Sequence, residues 1–187
     1  GTYNSACAAK DMVLEEQPDK KIAVIDSRSA GSELVLLVKK ICELIESGAD
    51  FETVVEKAEL YSRHTHVVFA LSSFNNLVKN GRMSKIVGFV ANKLGFWGIG
   101  IGSEQGTIEI KQKIRGSKKA LDAIIEDMKE RGYNCGKVVI SHCRNAEFAE
   151  SVKSAIQSVW DKAEVKIVHA RGLCSYYAEK GGLIIGF

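Results

Sequence analysis

Short apolar runs rich in β-branched residues alternate with helical segments along most of this chain, and that order constrains its fold. The runs at 66–71, 137–141 and 165–169 each have the length of a buried strand. Between them, residues 117–131 and 146–160 carry apolar side chains at helical spacing. This alternation predicts an α/β domain in which helices flank a β-sheet.

One hairpin interrupts the alternation. The glycine-rich segment 95–102 predicts a strand, residues 104–106 (Glu-Gln-Gly) are a turn signal, and 107–114 alternates apolar and polar residues as a half-buried partner strand does. Hairpin strands run antiparallel, whereas strands joined by a crossover helix run parallel. We therefore expect a mixed sheet.

The remaining segments are also assigned from their patterns. Asp50 is a favourable N-cap for the helix that follows it. Because Gly1 already begins a helical pattern, we expect the chain to be a fragment whose natural N-terminus lies upstream. The patterns predict a buried strand at 21–26, helices at 2–16, 33–46, 53–63, 74–79 and 84–94, and a loop at 172–182 before the apolar residues 183–187.

Composition and charge exclude several classes of protein. The 187 residues are 45% hydrophobic and 26% charged, with a net charge of only +3, so a nucleic-acid partner is not expected. No apolar run is long enough to predict an integral membrane segment. The five cysteines are odd in number and form no C-x-x-C pair, which favours reduced thiols in a cytoplasmic protein.

Four segments, in this order, resemble motifs of the DegV family. Residues 1–6 (GTYNSA) resemble its S-G-T-Y-x-S-A helix start, and residues 25–30 (IDSRSA) resemble its I-D-S-x-S-A turn. Residues 77–84 resemble L-x-x-G-G-R-I-S, and residues 106–120 resemble D-G-x-x-x-x-x-x-V-R-G-R-K-K-A. The order and separation of the segments are specific, and the resemblance covers nearly the whole chain.

The resemblance implies a fold and a function. DegV proteins have two α/β lobes and hold a long-chain fatty acid between them, and in bacteria some present the acyl chain to a partner kinase that phosphorylates its carboxylate. Residues 1–64 would then be a residual part of the N-terminal lobe with connecting helices, and residues 65–187 the C-terminal lipid-binding lobe. The resemblance implies no cofactor besides the bound fatty acid, and no catalytic residue.

A fatty-acid site needs an apolar lining, since burial stabilises the tail by about 0.8 kcal/mol per methylene. The segment 84–101 is the best candidate, and ordinary core packing is the alternative interpretation. Glycines at 98, 100 and 102 favour a lining, because a strand without alternate side chains leaves room for a ligand or another backbone. The candidate lining residues are Ile86, Phe89, Val90, Leu94, Phe96, Trp97 and Ile99.

The carboxylate needs hydrogen-bond donors, because burying an unpaired charge is costly. Thr2 and Ser5 lie at a predicted helix N-terminus, where they either bind the carboxylate or act as simple caps. Arg82 and Arg115 can grip a carboxylate with two parallel hydrogen bonds, although solvated surface is the usual place for a lone arginine.

Two further features extend the predicted site. The resemblance favours Arg115 for contact with the kinase, and Lys118 and Lys119 would extend that docking surface at the start of a helix. Tyr177 stands where the family's motif G-x-x-x-x-H-x-G-P-G has histidine, so it can donate a hydrogen bond but cannot be cationic. The loop at 172–182 either closes over a ligand or simply packs.

Alternatives to a fatty-acid carrier remain open at this point. His64 and His66 have no further ligand at suitable spacing, so no metal site is predicted. His142 and Cys143 adjoin at a strand end, and the DegV fold resembles that of dihydroxyacetone kinase domains. An enzyme subunit acting on a small substrate is therefore the second hypothesis, and a purely structural interaction module is the third.

Overall fold

The computed structural model describes residues 1–83 and 95–187, which form seven helices and six strands. The helices are α1 (Thr2–Glu16), α2 (Ser32–Glu46), α3 (Phe51–Ser62), α4 (Asn75–Lys79), α5 (Ser117–Glu130), α6 (Ala146–Val159) and α7 (Gly172–Ala178). The strands are β1 (Val67–Leu71), β2 (Phe96–Gly102), β3 (Ile108–Arg115), β4 (Lys137–His142), β5 (Glu164–His169) and β6 (Leu183–Gly186).

The chain divides into two compact units. Residues 1–27 and 37–64 form the first, which is helical, and residues 28–36 and 65–187 form the second, which contains the sheet. In the first unit Asp50 accepts a 2.8 Å hydrogen bond from the Thr53 N–H, which confirms the predicted N-cap of α3. The assignment of residues 1–64 and 65–187 to two lobes stays a prediction.

The six strands form one mixed sheet in the order β3-β2-β1-β6-β4-β5. Strands β4 and β5 are parallel, as expected of strands joined by a crossover helix, and every other neighbouring pair is antiparallel. The predicted hairpin is β2 and β3, whose register shifts between Ile99 and Gly100. The prediction of a mixed α/β sheet is confirmed.

The main core lies between one face of the sheet and helices α5 and α6. Along α5, Ala120, Ile124 and Met128 recur every four residues and are fully buried, which is the apolar stripe that helical periodicity predicted. Val68 of β1 and Ile140 of β4 meet them from the sheet. A second, smaller cluster, here called the Phe74 cluster, consists of Phe69, Leu71, Phe74, Leu77 and Ala178.

Two predictions of local structure were wrong. Residues 21–26 are not a strand: none of their side chains is buried, and no described strand pairs with them. A β-branched run without a partner strand has no satisfied ladder of N–H and C=O groups, so its pattern alone does not make a strand. Residues 172–182 are not a loop throughout, because 172–178 form α7, and β6 then enters the sheet between β1 and β4. The predicted helix at 84–94 lies outside the described residues.

Candidate ligand-binding site

The candidate site is built around one edge of the sheet, here called the upper edge. Strands β1, β4 and β5 end there, and their last residues Leu71, His142 and His169 lie near the start of β6, where Leu183 pairs with His142. Strand β3 also ends at this edge, at Arg115. In open α/β sheets, ligands bind beyond the carboxyl ends of the strands.

Two predicted head-group residues, Arg82 and Tyr177, lie together near this edge. The guanidinium carbon of Arg82 lies 5.9 Å from the centroid of the Tyr177 ring, within range of a cation–π contact. The Arg82 N–H also donates to the Leu77 carbonyl at 2.8 Å, which fixes the start of the loop after α4. Tyr177 is half-buried against the Phe74 cluster, so its position is set by packing.

Glu179 joins α4 to α7, the helix that carries Tyr177, and sequence analysis missed this role. Its carboxylate accepts hydrogen bonds from the Ser73 hydroxyl at 2.5 Å and from the Asn76 N–H at 2.8 Å. The Asn76 side chain donates to the Tyr176 carbonyl at 2.8 Å, and the Asn80 amide donates to the Tyr176 hydroxyl at 3.0 Å. Because these partners lie about a hundred residues apart, no local pattern could have indicated them.

Arg115 lies at the end of β3, where it pairs with Phe96, and its guanidinium carbon is 6.0 Å from the centroid of the Phe96 ring. Gly116 follows with a φ of +90°, and α5 then begins without a side-chain cap or an acidic residue in its first turn. Arg115, Lys118 and Lys119 are all exposed. Their roles in head-group binding and docking stay predictions.

The described part of the predicted tail lining is largely core. Ile99 is 1% exposed and belongs to the main core, and the Trp97 ring packs against Phe148 with centroids 4.8 Å apart. Phe96 is half-buried beside Arg115. The other four predicted lining residues, Ile86, Phe89, Val90 and Leu94, lie outside the described residues. The lining function of all seven stays a prediction.

The glycines of β2 leave space for aromatic rings of the protein itself. A Cβ atom on Gly98 would lie 2.1 Å from Cζ of Phe74, and one on Gly100 would lie 2.4 Å from Cζ of Phe69. Both rings belong to the Phe74 cluster. The backbone carbonyl of Glu109 would also lie 2.4 Å from a Cβ atom on Gly100, so the expected close approach of another backbone is found at that position, and room for a ligand stays a prediction.

Thr2 and Ser5 lie in the first turn of α1, in the first unit. Gly1 occupies the N-cap position, and no side chain caps the helix. The Ser5 hydroxyl donates instead to the Gly1 carbonyl at 3.4 Å. Simple N-capping therefore does not explain either residue, and their binding to a carboxylate stays a prediction.

His142 is a buried structural residue at the end of β4. It is 3% exposed, and its Nδ1 atom accepts a 3.1 Å hydrogen bond from the Asn145 N–H. Burial lowers the pKa of His142, and the neighbouring His169, with its ring centroid 4.6 Å away, lowers it further. The Asn145 side chain donates to the Gly181 carbonyl at 2.7 Å, so this corner braces the turn after α7.

Within 1–83 and 95–187, no group of three or more histidine, cysteine, aspartate or glutamate side chains could hold a metal ion. In the same ranges, no helix has both the length and the apolar character that a membrane span requires.

A mixed α/β sheet with candidate ligand residues near one edge is the arrangement of an α/β protein with a candidate ligand-binding site at the sheet edge. Comparison with known sequences identifies its family. The family model described as "Uncharacterised protein, DegV family" matches residues 1–187, so the chain belongs to the DegV family. A DegV domain-containing protein of Streptococcus pneumoniae is 44% identical over the whole chain, which spans 66% of that relative. A DegV domain-containing protein of Streptococcus pyogenes is also 44% identical, and the chain spans 67% of its length.

Solved structures of similar proteins contain fatty acids. The Fatty Acid Kinase (Fak) B3 protein of S. pneumoniae, solved with linoleic acid bound, is similar to the whole of this chain, with 44% identity and a TM-score of 0.97. The match covers 66% of the length of the Fak B3 chain. A DegV family protein of Eubacterium eligens, solved with heptadecanoic acid bound, is similar to the whole of this chain over 67% of its own length, with 39% identity and a TM-score of 0.95. One from Ruminococcus gnavus, refined with vaccenic acid, has 34% identity and a TM-score of 0.90 over the same shares. The predicted family and fold are confirmed.

Proposed function

We propose that this chain is part of a protein that binds a long-chain fatty acid and presents its carboxylate to a partner fatty acid kinase. The observation that carries the proposal is that three solved relatives, at 34–44% identity and TM-scores of 0.90 or more, each hold a fatty acid. The proposed partnership with a kinase is supported by the name of the S. pneumoniae protein, Fatty Acid Kinase (Fak) B3. Because the chain spans about two thirds of these relatives, the proposal concerns the full-length protein.

In this proposal, Arg82 and Tyr177 bind the carboxylate head group. A guanidinium supplies a permanent positive charge and two parallel donors, and a phenol supplies a third donor. Both side chains lie near the upper edge of the sheet, and Arg82 is exposed while Tyr177 is half-buried. Thr2, Ser5 and Arg115 stay further predicted head-group residues.

The kinase-docking surface in this proposal consists of Arg115, Lys118 and Lys119. Three exposed cations lie within five residues of sequence at the start of α5. Positive charge at a helix N-terminus opposes the helix dipole, and α5 has no acidic residue in its first turn to offset it. An acidic partner surface would compensate these charges and would accelerate association at low salt.

The proposal places the protein in the cytoplasm. All five cysteines are free in the structure, which suits a reducing compartment.

Native mass spectrometry of the full-length protein tests fatty-acid binding. We expect a mass increase equal to one fatty acid, and purified apoprotein should bind palmitate or oleate. Arg82→Ala should weaken palmitate binding about tenfold, as expected for a lost charged hydrogen bond. Lys162→Ala is the matched control, because it removes one exposed cation before β5, at the opposite edge of the sheet. Protein that purifies empty and binds neither fatty acid contradicts the proposal.

The alternative hypothesis of an enzyme subunit relied on His142 or Arg115 acting on a small substrate. A catalytic base must reach the proton that it removes. His142 is 3% exposed, and its Nδ1 atom is already bonded to the Asn145 N–H. This geometry favours the carrier, and catalytic turnover without the kinase that disappears in His142→Asn would favour the enzyme.

A further inference from the structure

Glu179 has a backbone conformation that a glutamate rarely adopts. It ends α7 with a φ of +53° and a ψ of 177°, in the region that is accessible almost exclusively to glycine. Such a conformation persists only where surrounding contacts hold it in place. The contacts of Glu179 therefore identify the interactions that hold this backbone conformation in place.

The Glu179 carboxylate holds the entry to α4. One oxygen accepts from the Ser73 hydroxyl at 2.5 Å, and the other accepts from the Asn76 N–H at 2.8 Å, in the first turn of the helix. Both contacts are partly shielded from water, and hydrogen bonds to an ionised carboxylate are about twice as strong as neutral ones. The end of α7 and the start of α4 are thus joined through one side chain.

The backbone on the other side of Glu179 is fixed independently. The Gly181 N–H donates to the Cys143 carbonyl at 2.8 Å, and the Asn145 amide donates to the Gly181 carbonyl at 2.7 Å. The Ser72 hydroxyl donates to the Lys180 carbonyl at 3.2 Å. Because the turn is anchored to the ends of β1 and β4, Glu179 joins α4 and α7 to the sheet edge at one point.

We propose that Glu179 is a positioning residue for the Tyr177–Arg82 pair, and through that pair for the carboxylate of a bound fatty acid. Tyr177 lies two residues before Glu179, and Arg82 follows α4, whose first turn Glu179 holds. The 5.9 Å spacing of guanidinium and ring depends on how α4 and α7 sit against each other. This inference rests on the proposed function, and it predicts that Glu179 controls selectivity for an acid without contacting the ligand.

The test compares two ligands of equal length that differ only in the head group, palmitate and hexadecanol. Dissociation constants are measured with the full-length wild-type protein and with Glu179→Gln and Glu179→Gly. Glutamine keeps the backbone conformation and one amide oxygen, whereas glycine relieves the backbone and removes both contacts. Glu150→Gln is the matched control, because Glu150 is exposed on α6, away from α4 and α7.

For both Glu179 variants we expect the dissociation constant for palmitate to rise about tenfold and that for hexadecanol to change less than about twofold. Ser73→Ala removes one hydrogen-bond partner of the Glu179 carboxylate and leaves Glu179 itself intact. It should also lower the preference for palmitate over hexadecanol. A parallel rise for both ligands would mean a structural role only and would overturn the inference, as would an unchanged preference for palmitate. Wild-type protein that binds neither ligand would overturn the proposed function and the inference together.

Discussion

The ring of Phe74 lies directly over Gly98, so that a methyl group on Gly98 would lie 2.1 Å from Cζ of Phe74. Phe74 is 1% exposed and belongs to the cluster against which Tyr177 packs. Glycine at position 98 therefore lets an aromatic ring approach the sheet closely. The position of this ring supports α4 and α7, the two helices that carry or precede the proposed head-group residues.

Gly98→Ala should destabilise the protein by about 1–3 kcal/mol, because the added methyl group overlaps a buried ring that must move. Chemical denaturation of the variant and the wild type measures the difference in the free energy of unfolding. In a Phe74→Leu background the same substitution should cost less, since the ring is gone. Equal costs in both backgrounds would show that the Phe74 ring is not the obstacle.

Asp127 and Glu130 provide a matched pair of carboxylates on α5, because both contact the Lys111 ammonium, at 3.2 and 3.1 Å. The Asp127 side chain is 5% exposed and also accepts from Nε of Arg131 at 3.0 Å, whereas the Glu130 side chain is 58% exposed. Asp127→Asn should cost about 2–3 kcal/mol of unfolding free energy, since it removes a nearly buried carboxylate that pairs with Arg131 and with Lys111. Glu130→Gln should cost less than about 1 kcal/mol, as for most surface pairs. Similar losses in the two variants would contradict this assignment.

Glu33 should make the stability of the protein fall as the pH rises. It is 7% exposed, and burial raises the pKa of its carboxyl group, although hydrogen bonds from Ser29 and Thr65 and the charge of Arg131 act against the rise. The folded state therefore holds the proton more tightly than the unfolded state. The stabilisation from this group is complete below the unfolded pKa of about 4.5 and is lost as the pH rises through the folded pKa.

Glu33→Gln removes this titration, because glutamine stays neutral. The difference in unfolding free energy between variant and wild type should therefore shift in favour of the variant as the pH rises from about 4 to 7. Denaturation midpoints across that range measure the shift. Glu126→Gln, an exposed position on α5, is the control and should give no comparable trend. A difference that stays constant with pH would contradict the prediction.

The regular part of the fold could be predicted from sequence because its signals are local. Strands β1, β4 and β5 follow from their apolar β-branched runs, and the buried stripe of α5 follows from its spacing. The same kind of run at 21–26 forms no strand, since pairing depends on a neighbour that the run itself does not specify. Helix α7 was missed because it has only seven residues and no side-chain cap.

The candidate site could be predicted only in part, for a related reason. Arg82 and Tyr177 were identified from family motifs, but their proximity depends on how α4 meets α7. Glu179 has no local signal, because its partners Ser73 and Asn76 are more than a hundred residues away. The glycines of β2 were correctly identified as positions of close approach, but sequence alone does not specify which group approaches.

The stability of the protein should also fall as the pH drops below about 6.5, because of His142. Burial and the adjacent His169 lower the pKa of His142, so the unfolded state binds a proton more readily than the folded state. Protonation also converts Nδ1 from an acceptor into a donor, which breaks its bond to the Asn145 N–H. The stabilisation is complete above the unfolded pKa of 6.5 and is lost as the pH falls through the folded pKa.

His142→Asn tests this prediction, because an asparagine oxygen can accept from the Asn145 N–H but does not titrate. The variant should lose stability at pH 8, where the ring contact with His169 is lost, yet its unfolding free energy should decline less than that of the wild type between pH 7 and pH 5. Thermal or urea denaturation at several pH values gives both slopes. His64→Asn, at an exposed position, should keep the wild-type slope. If the His142→Asn slope also equals that of the wild type, the pH dependence arises from other groups and the structural role of neutral His142 is refuted.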